Sequence, residues 1–270
     1  ERPEYDALAE DWLALLQMEM PGASLLDPLM RITGLHLILY VLRRAQEELG
    51  ETKEGHRLVL EVAPLRKTLL FDLSRETYDA NRNLPKRALE SNLEHSRSSE
   101  AWQRLHSSNA PVEAALDYLK QRFWWRPKPH LSGSSPDKIF EALKNSAIKR
   151  HGQHIGKVVP EWSYEIGLAA RRRGVGTWYS PNDAFLKALV ITTVHDREEY
   201  HRFLARLYER YGLIIGVTEA EHAYGHLPTD ERVFVNNAAR LEQRLRTLGL
   251  LHRLSDDCAY VQNPFKRDRQ

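Results

Sequence analysis

The fold is decided by the stretch Leu245-Arg246-Thr247-Leu248-Gly249-Leu250-Leu251-His252-Arg253-Leu254-Ser255-Asp256-Asp257-Cys258-Ala259-Tyr260-Val261. Gly249 is typical of the left-handed residue that ends a helix. Leu250–Leu254 then predicts a strand, Ser255–Asp257 a turn and Cys258–Val261 a returning strand. The chain is therefore expected to close with a helix followed by a β-hairpin.

The residues before this stretch predict a series of helices. The run Ser180-Pro181-Asn182-Asp183 predicts a helix start, and the residues after it carry one apolar face. A second helix is expected over Glu198–Tyr211, where Gly212 ends it. Thr218–Tyr224 predicts one or two helical turns, and Asp230–Leu248 a longer helix with its leucines turned inward.

The passage from Ser180 to Phe265 closely resembles the winged helix-turn-helix superfamily, in which helices are followed by a hairpin wing. The resemblance covers about 85 of the 270 residues. It implies DNA binding, with the second helix of the turn motif in the major groove. One segment, Leu213–Pro228, departs from the pattern because it is longer and richer in glycine than a tight helix-turn-helix turn.

The long predicted helix carries candidate DNA-binding residues. Asn237, Arg240 and Arg244 are three and four residues apart and are expected on one helical face. Asparagine and arginine are residue types that bind phosphates and base edges. The acidic pair Asp256–Asp257 in the expected wing turn opposes DNA contact, and a winged helix used for protein assembly has the same sequence pattern. Both interpretations stay open.

Positive charge is concentrated in one part of the chain. The whole sequence has 39 basic and 37 acidic residues, so its formal charge is only +2. Lys120–Ser180 alone has 12 basic and 4 acidic residues, a net charge of +8. Within it, Arg171, Arg172 and Arg173 are candidates for binding phosphates, the alternative being a solvated or acidic-partner face.

The same basic stretch contains the aromatic run Arg122–His130. Aromatic rings among arginines suit stacking on bases. The helical spacing of Phe123 and Trp124, however, favours positions in the core.

The remaining sequence predicts the domain organisation. We expect an α-helical domain over residues 1–155, a basic connecting segment over 156–179 and a winged-helix domain over 180–270, so the fold class is mainly α. The polar run Asn92–Asn109 is interpreted as a mobile connection.

The sequence also bears on the compartment. The longest apolar run, Leu35–Leu42, is too short for a membrane span, so no membrane partner is expected. A single cysteine, Cys258, fits a reducing compartment, and we predict a cytoplasmic protein. The sequence opens at Glu1 without a methionine or an apolar leader, so neither a native start nor a signal peptide is visible in it.

Motifs for catalysis are weak. His222 and His226 have the spacing of two metal ligands on one helical turn, but Gly225 weakens a helix there and no third ligand is evident. Arg173-Gly174-Val175-Gly176 has only two glycines and no following lysine, so it is not a phosphate loop. We therefore expect no catalytic residues, no metal and no cofactor, and a metal-dependent enzyme ranks third among the hypotheses.

The run Phe203–Gly216 resembles accessory subunits encoded in bacterial anti-phage or restriction gene clusters. That resemblance implies a non-catalytic partner of an ATPase, helicase or nuclease. Combined with the winged helix, it predicts a nucleic-acid-binding subunit, with double-stranded DNA as the expected ligand and a protein partner on the N-terminal helical domain. The alternative is an assembly subunit that uses the winged helix as a docking surface.

Overall fold

We describe the protein from a computed structural model that defines residues 3–52, 56–62, 68–107, 112–127, 133–255 and 258–265. This part of the chain is mainly helical, as the sequence predicts. The longest helices lie in the N-terminal half. Their bounds are α1 Pro3–Leu16, α2 Gly22–Leu49, α3 Leu69–Arg97, α4 Glu100–Ser107, α5 Val112–Phe123 and α6 Pro136–Gln153, with the two-residue strand β1 Leu58–Val59 between α2 and α3.

The connecting segment is more structured than the sequence predicts. A 3-10 turn over Ile155–Lys157 leads into a π-helical turn over Val158–Trp162 and the short helix α7 over Ser163–Glu165. An antiparallel hairpin follows, made of β2 Ala169–Arg172 and β3 Gly176–Tyr179.

The C-terminal third combines helices with a small sheet. Its elements are α8 Asp183–Thr193, β4 Arg197–Glu199, α9 Tyr200–Tyr211, β5 Leu213–Ile214, α10 Val217–Tyr224, α11 Glu231–Thr247, β6 Leu251–Ser255 and β7 Cys258–Gln262. The predicted hairpin β6–β7 is confirmed, and β4 pairs with β7 on its other side, so the antiparallel order is β4-β7-β6.

The helix ends follow local capping chemistry. Gly212 adopts φ 70° after α9, and Gly249 adopts φ 71° after α11, which confirms both predicted left-handed ends. The cap of α8 is Asn182, whose side chain accepts a hydrogen bond from the backbone N–H of Phe185 at 2.8 Å. The first helical residue is therefore Asp183, two residues after Pro181.

One apolar core extends across both halves of the chain. It contains Leu35 and Ile38 of α2 together with Leu189 of α8, Leu207 of α9 and Leu241 of α11. The parallel pairing of β1 with β5, Leu58 opposite Leu213, also joins the halves. Residues from both halves of the chain therefore contribute to the same core.

A separate, smaller core lies among α4, α5 and α6. Trp102 is 1% exposed, and its ring centroid lies 5.3 Å from that of Phe140. The prediction of a mobile connection over Asn92–Asn109 is wrong for the described part of that run, because it forms the end of α3 and the whole of α4. The burial of Trp102 fixes this segment in place.

α2 is, by length and apolar composition, the one helix in the described ranges that could cross a membrane. Core helices of soluble proteins pass the same test. Ile32, Leu35, Ile38 and Leu42 of this helix are fully buried within the protein, whereas Leu26 and Met30 are exposed.

A buried polar network ties α1 to α9. Asp11 accepts hydrogen bonds from the Tyr211 hydroxyl at 2.7 Å and from Arg210 Nε at 2.7 Å. The Nε2 atom of His36 lies 2.6 Å from the same carboxylate. Burial alone would raise the pKa of Asp11, but these hydrogen bonds outweigh it and lower that pKa.

Candidate nucleic-acid interface

Three consecutive arginines lie at the exposed end of the β2–β3 hairpin. Arg171 pairs with Thr177 and Arg172 with Gly176, and Arg173 begins the turn. The turn closes through a hydrogen bond from Val175 N–H to the Arg172 carbonyl at 3.1 Å. Gly174 adopts φ 77° there, a left-handed conformation that glycine accepts without strain. All three arginines are solvent-exposed.

The other end of the hairpin is anchored in the protein. The Tyr179 carbonyl accepts hydrogen bonds from Ser74 Oγ and from the backbone N–H of Glu61, both at 2.9 Å. The Tyr179 hydroxyl accepts a hydrogen bond from Asn81 at 3.1 Å, and Trp178 packs edge-on against Phe71 with ring centroids 5.0 Å apart. The arginines are thus carried on a rigid base.

A concave surface of about 690 Å³, which we call the arginine cleft, lies beside the hairpin tip. Arg75 of α3 and Tyr164 of α7 contribute to it with the three hairpin arginines. The guanidinium carbon of Arg171 lies 5.0 Å from the Tyr164 ring centroid, within cation–π range. Arg75 is half exposed and lies 3.8 Å from Asp79, so four cations meet there with one acid close to Arg75.

A second concave surface, the polar cleft, is also about 690 Å³ and shares Arg171 and Tyr164 with the first. Arg244 lines its far side, so the structure brings two of the predicted residues, Arg171 and Arg244, to one cleft. Arg244 is already engaged, because it binds Asp183 at 2.6 Å and the Pro181 carbonyl at 2.9 Å. Its charge is therefore largely neutralised, and it holds α11 against the start of α8.

The other two predicted residues of α11 have different surroundings. Arg240 is exposed and near the buried carboxyl of Glu61, whose pKa burial raises and Arg240 partly lowers. Asn237 is 1% exposed. It accepts a hydrogen bond from Val62 N–H and donates to the carbonyls of Leu60 and Ile215, at 2.9 to 3.0 Å.

The Asn237 amide is therefore occupied within the fold, and its contact with DNA stays a prediction. The spacing rule placed Asn237 on one face with Arg240 and Arg244, but three backbone partners draw the amide inward. Its role is to join the ends of β1 and β5 to α11.

The aromatic run is divided between core and surface. Phe123 packs partly buried against the α4–α6 core, as expected. Trp124 is 91% exposed with φ 52°, so its predicted core position is wrong. The helix α5 ends at Phe123, and the turn of the chain directs the next side chain outward. Lys128–His130 and the acidic pair Asp256–Asp257 lie outside the described residues.

The histidine pair does not share a helical turn. α10 ends at Tyr224, and Gly225 adopts φ 73°, so His226 lies beyond the helix that carries His222. Within the ranges that the structure describes, no three histidine, cysteine, aspartate or glutamate side chains come close enough together to hold a metal ion.

Two residues of the arginine cleft, Arg75 and Tyr164, were not predicted from the sequence. Neither belongs to a motif, since Arg75 lies on the polar face of a long helix and Tyr164 within a three-residue one. The hairpin had a usable signal, because Gly174-Val175-Gly176 separates two short extended runs. Comparison with known proteins finds no family model that matches this chain and no curated protein with significant similarity to it.

Proposed function

We propose that this chain is a non-catalytic subunit that binds double-stranded DNA through the β2–β3 hairpin and the arginine cleft. The observation that carries the proposal is the exposure of Arg171, Arg172 and Arg173 on an anchored hairpin beside Arg75. Such a group neutralises phosphates without the cost of ordering a loop. A two-stranded β-ribbon also has the width that the major groove of B-DNA admits.

The winged-helix assignment of residues 180–265 is part of this proposal. It is supported by the order of elements, helices α8, α9, α10 and α11 followed by the hairpin β6–β7, and by the strand β4 that extends that hairpin into a sheet. In this arrangement α11 offers Arg240 to DNA, while Arg244 and Asn237 hold the helix in position.

The cellular setting follows from the resemblance of Phe203–Gly216 to accessory subunits of anti-phage and restriction systems. We propose a cytoplasmic protein that recruits a catalytic partner to DNA, with the N-terminal helices holding that partner. The second candidate is a subunit that only assembles proteins. It is favoured by exposed apolar side chains on α1 and α2, among them Trp12, Leu16 and Met30.

The salt dependence of duplex binding tests the proposal. For wild type, the logarithm of the affinity should fall steeply with the logarithm of the salt concentration. Replacing Arg171, Arg172 and Arg173 together by alanine should flatten that slope by about two to three units without changing sequence preference. Fluorescence anisotropy with a labelled duplex gives both slopes.

A matched control removes the same charge elsewhere. Lys138, Lys149 and Arg150 are exposed on α6, and their triple alanine variant should keep at least most of the wild-type slope. Equal slopes for wild type and the hairpin variant would remove the hairpin from the interface. If wild type did not bind duplex DNA even at low salt, the DNA-binding proposal would fail and the assembly role would be the remaining candidate.

Base reading is tested at Arg240. If its guanidinium binds a guanine edge, Arg240→Ala should cost roughly 1–3 kcal/mol on a preferred duplex and much less on a scrambled one. Arg244→Ala is the comparison, because Arg244 is occupied by Asp183 and should lower binding to both duplexes equally. Equal losses for Arg240→Ala on both duplexes would indicate phosphate contact only.

A further inference from the structure

Trp124 has the most exposed large apolar side chain in the described part of the protein, with 91% of its surface in contact with solvent. It directly follows the last residue of α5. The rings on either side of it are held inward, because Phe123 and Trp125 are partly buried and pack against the small α4–α6 core. The indole therefore projects into solvent from a segment that is fixed on both sides.

The backbone at Trp124 is strained. Its φ angle is 52°, and within the described ranges no other residue except glycine has a positive φ. A bulky residue is unfavourable in this left-handed conformation, which glycine adopts without steric cost. A residue that served only to turn the chain after α5 would favour glycine. Residues held in such conformations cluster at functional sites, so the exposed indole is a candidate binding group.

The charge around the indole is positive. Residues 118–136 contain four basic side chains and no acidic one. Lys120 is paired with Asp117 at 2.9 Å. Arg122 and Arg126, which lie two residues to either side of Trp124, are exposed and have no acidic partner among the residues that the structure describes. An aromatic ring is thus presented between two cations that are available to an anionic ligand.

The surroundings of the ring select among the possible ligands. A site on a membrane surface needs an extended apolar face, but here the two neighbouring rings are turned inward. A hot spot for a protein partner is enclosed by further contacts that exclude water, whereas exposed arginines flank Trp124. A nucleobase stacks on a single aromatic ring, and clustered cations bind the phosphates that accompany it. Nucleic acid therefore fits this site best.

The position of Trp124 relative to the arginine cleft follows from α3. Arg75 near the start of that helix lines the cleft, and Leu93 near its end belongs to the α4–α6 core. At 1.5 Å per residue, Arg75 and Leu93 are about 27 Å apart along the helix axis. A DNA strand of about eight nucleotides spans this distance, since each nucleotide of B-DNA rises 3.4 Å. The two surfaces are therefore separate contacts within reach of one DNA molecule.

We propose that Trp124 is a stacking platform for an unpaired nucleobase, with Arg122 and Arg126 on the adjoining phosphates. Bases inside a duplex are stacked on one another, so the platform binds the single-stranded extension of a DNA end whose duplex part lies on the β2–β3 hairpin. The inference rests on the proposed DNA-binding function and extends it from plain duplexes to duplex ends with unpaired bases.

The probes are a labelled blunt duplex and the same duplex with about ten unpaired thymidines at one end, in either polarity, which is long enough to span both surfaces. Wild type should bind an extended duplex about tenfold more tightly than the blunt one. Trp124→Leu should lose that preference, because leucine is apolar but has no ring to stack, and Trp124→Phe should keep most of it. Trp12→Leu is the matched control, since Trp12 is 42% exposed on α1 beside the acidic Asp11.

A stability measurement separates stacking from folding. Trp124→Gly removes both the ring and the left-handed strain, so it should lose the preference for the extended duplex and melt at or above the wild-type temperature. A lower melting temperature in Trp124→Leu, Trp124→Phe and Trp124→Gly alike, with the preference reduced to the same extent in each, would indicate a structural role and overturn the proposal.

The other contrary outcomes are an undiminished preference in Trp124→Leu, an equal loss in Trp12→Leu, and wild-type binding to phosphatidylglycerol vesicles that Trp124→Gly abolishes. Binding of the blunt duplex by Trp124→Leu should equal that of wild type. Equal affinity of wild type for blunt and extended duplexes rejects only this inference. Binding of the extended duplex alone rejects the duplex-binding function and keeps the platform, and binding of neither probe rejects both.

Discussion

Arginine occupies two opposite environments in this molecule. In the α1–α9 network, Arg210 lies against the buried Asp11 and also contacts Glu10 at 3.0 Å. In the β2–β3 hairpin, Arg171, Arg172 and Arg173 are exposed and gather beside a fourth arginine. The first arrangement satisfies its charge within the fold, and the second leaves positive charge for a ligand.

The two environments show that burial distinguishes charged side chains that stabilise the fold from charged side chains that are available to bind a ligand. A buried ion must be paired and hydrogen-bonded, because its desolvation otherwise costs several kcal/mol. An exposed ion has little desolvation cost when it is unpaired, because water solvates it. The network should therefore govern stability and the hairpin should govern binding.

The largest effect is expected at Asp11. Asp11→Asn leaves the Arg210 guanidinium without its closest counter-charge and should lower the free energy of unfolding by about 3 kcal/mol. Urea denaturation of both proteins at pH 7 measures the loss. Glu10→Gln is the control, because Glu10 is 66% exposed and its removal should cost less than about 1 kcal/mol. Equal losses of unfolding free energy in the two variants would contradict the distinction between buried and exposed charge.

A second large effect is expected at Asn237. Asn237→Ala leaves one backbone N–H and two carbonyls unpaired in the core and should destabilise the fold by about 2–3 kcal/mol. Its exposed neighbour Asn236 provides the control, and Asn236→Ala should change the melting temperature little. If instead Asn237→Ala kept wild-type stability and lost DNA binding, the residue would return to the interface.

The third effect concerns His56, a partly buried histidine just before β1. Burial, with a further contribution from Arg43, lowers the pKa of His56 to about 4. Between pH 6.5 and 4 the unfolded chain therefore binds a proton that the folded chain does not, so stability falls as the pH falls. From pH 7.5 to 5 the loss should be about 2 kcal/mol.

The contribution of His56 is isolated by its variant. Glu61 and Glu219, whose pKa values burial raises, oppose the trend, so the informative quantity is the difference between wild type and His56→Gln at each pH. His56→Gln should lose less stability on acidification than wild type. Parallel pH profiles would show that His56 is solvated in the folded protein.

The smallest effect on stability is expected at the hairpin. The alanine variant of Arg171, Arg172 and Arg173 should keep the free energy of unfolding within about 0.5 kcal/mol of wild type, because these exposed side chains hold no buried group in place. Thermal melting checks this directly. A larger loss would mean that the three arginines stabilise the fold, as Asp11 is expected to do, and are not reserved for binding.

Local chemistry made much of the fold predictable. Gly212 and Gly249 end their helices as expected, and the hairpin after α11 follows from alternating residues around a turn. The pairing of β1 with β5 was not predictable, because two-residue strands carry no periodicity and are set by the surrounding core.

The candidate site was only partly predictable from the sequence. Arg171, Arg172 and Arg173 are conspicuous as a run, and the structure leaves them exposed. Asn237 shows the limit of the spacing argument, because helical periodicity gives the direction of a residue but not the polar partners that other segments bring to it. Arg75 was not predictable, because only tertiary packing brings α3 beside the hairpin.

The π-helical turn Val158–Trp162 has a consequence for the evolution of this chain. Such a turn holds one residue more than a turn of α-helix, and each residue of an α-helix rotates the chain by about 100°. Trp162, the last residue of this turn, lines an apolar groove between α1 and α2 together with Trp12 and Met30. Tyr164, two residues later, lines the arginine cleft. Deleting a single residue here would rotate one wall away from its surface, so sequences that keep both surfaces can vary in residue type along this turn but not in length.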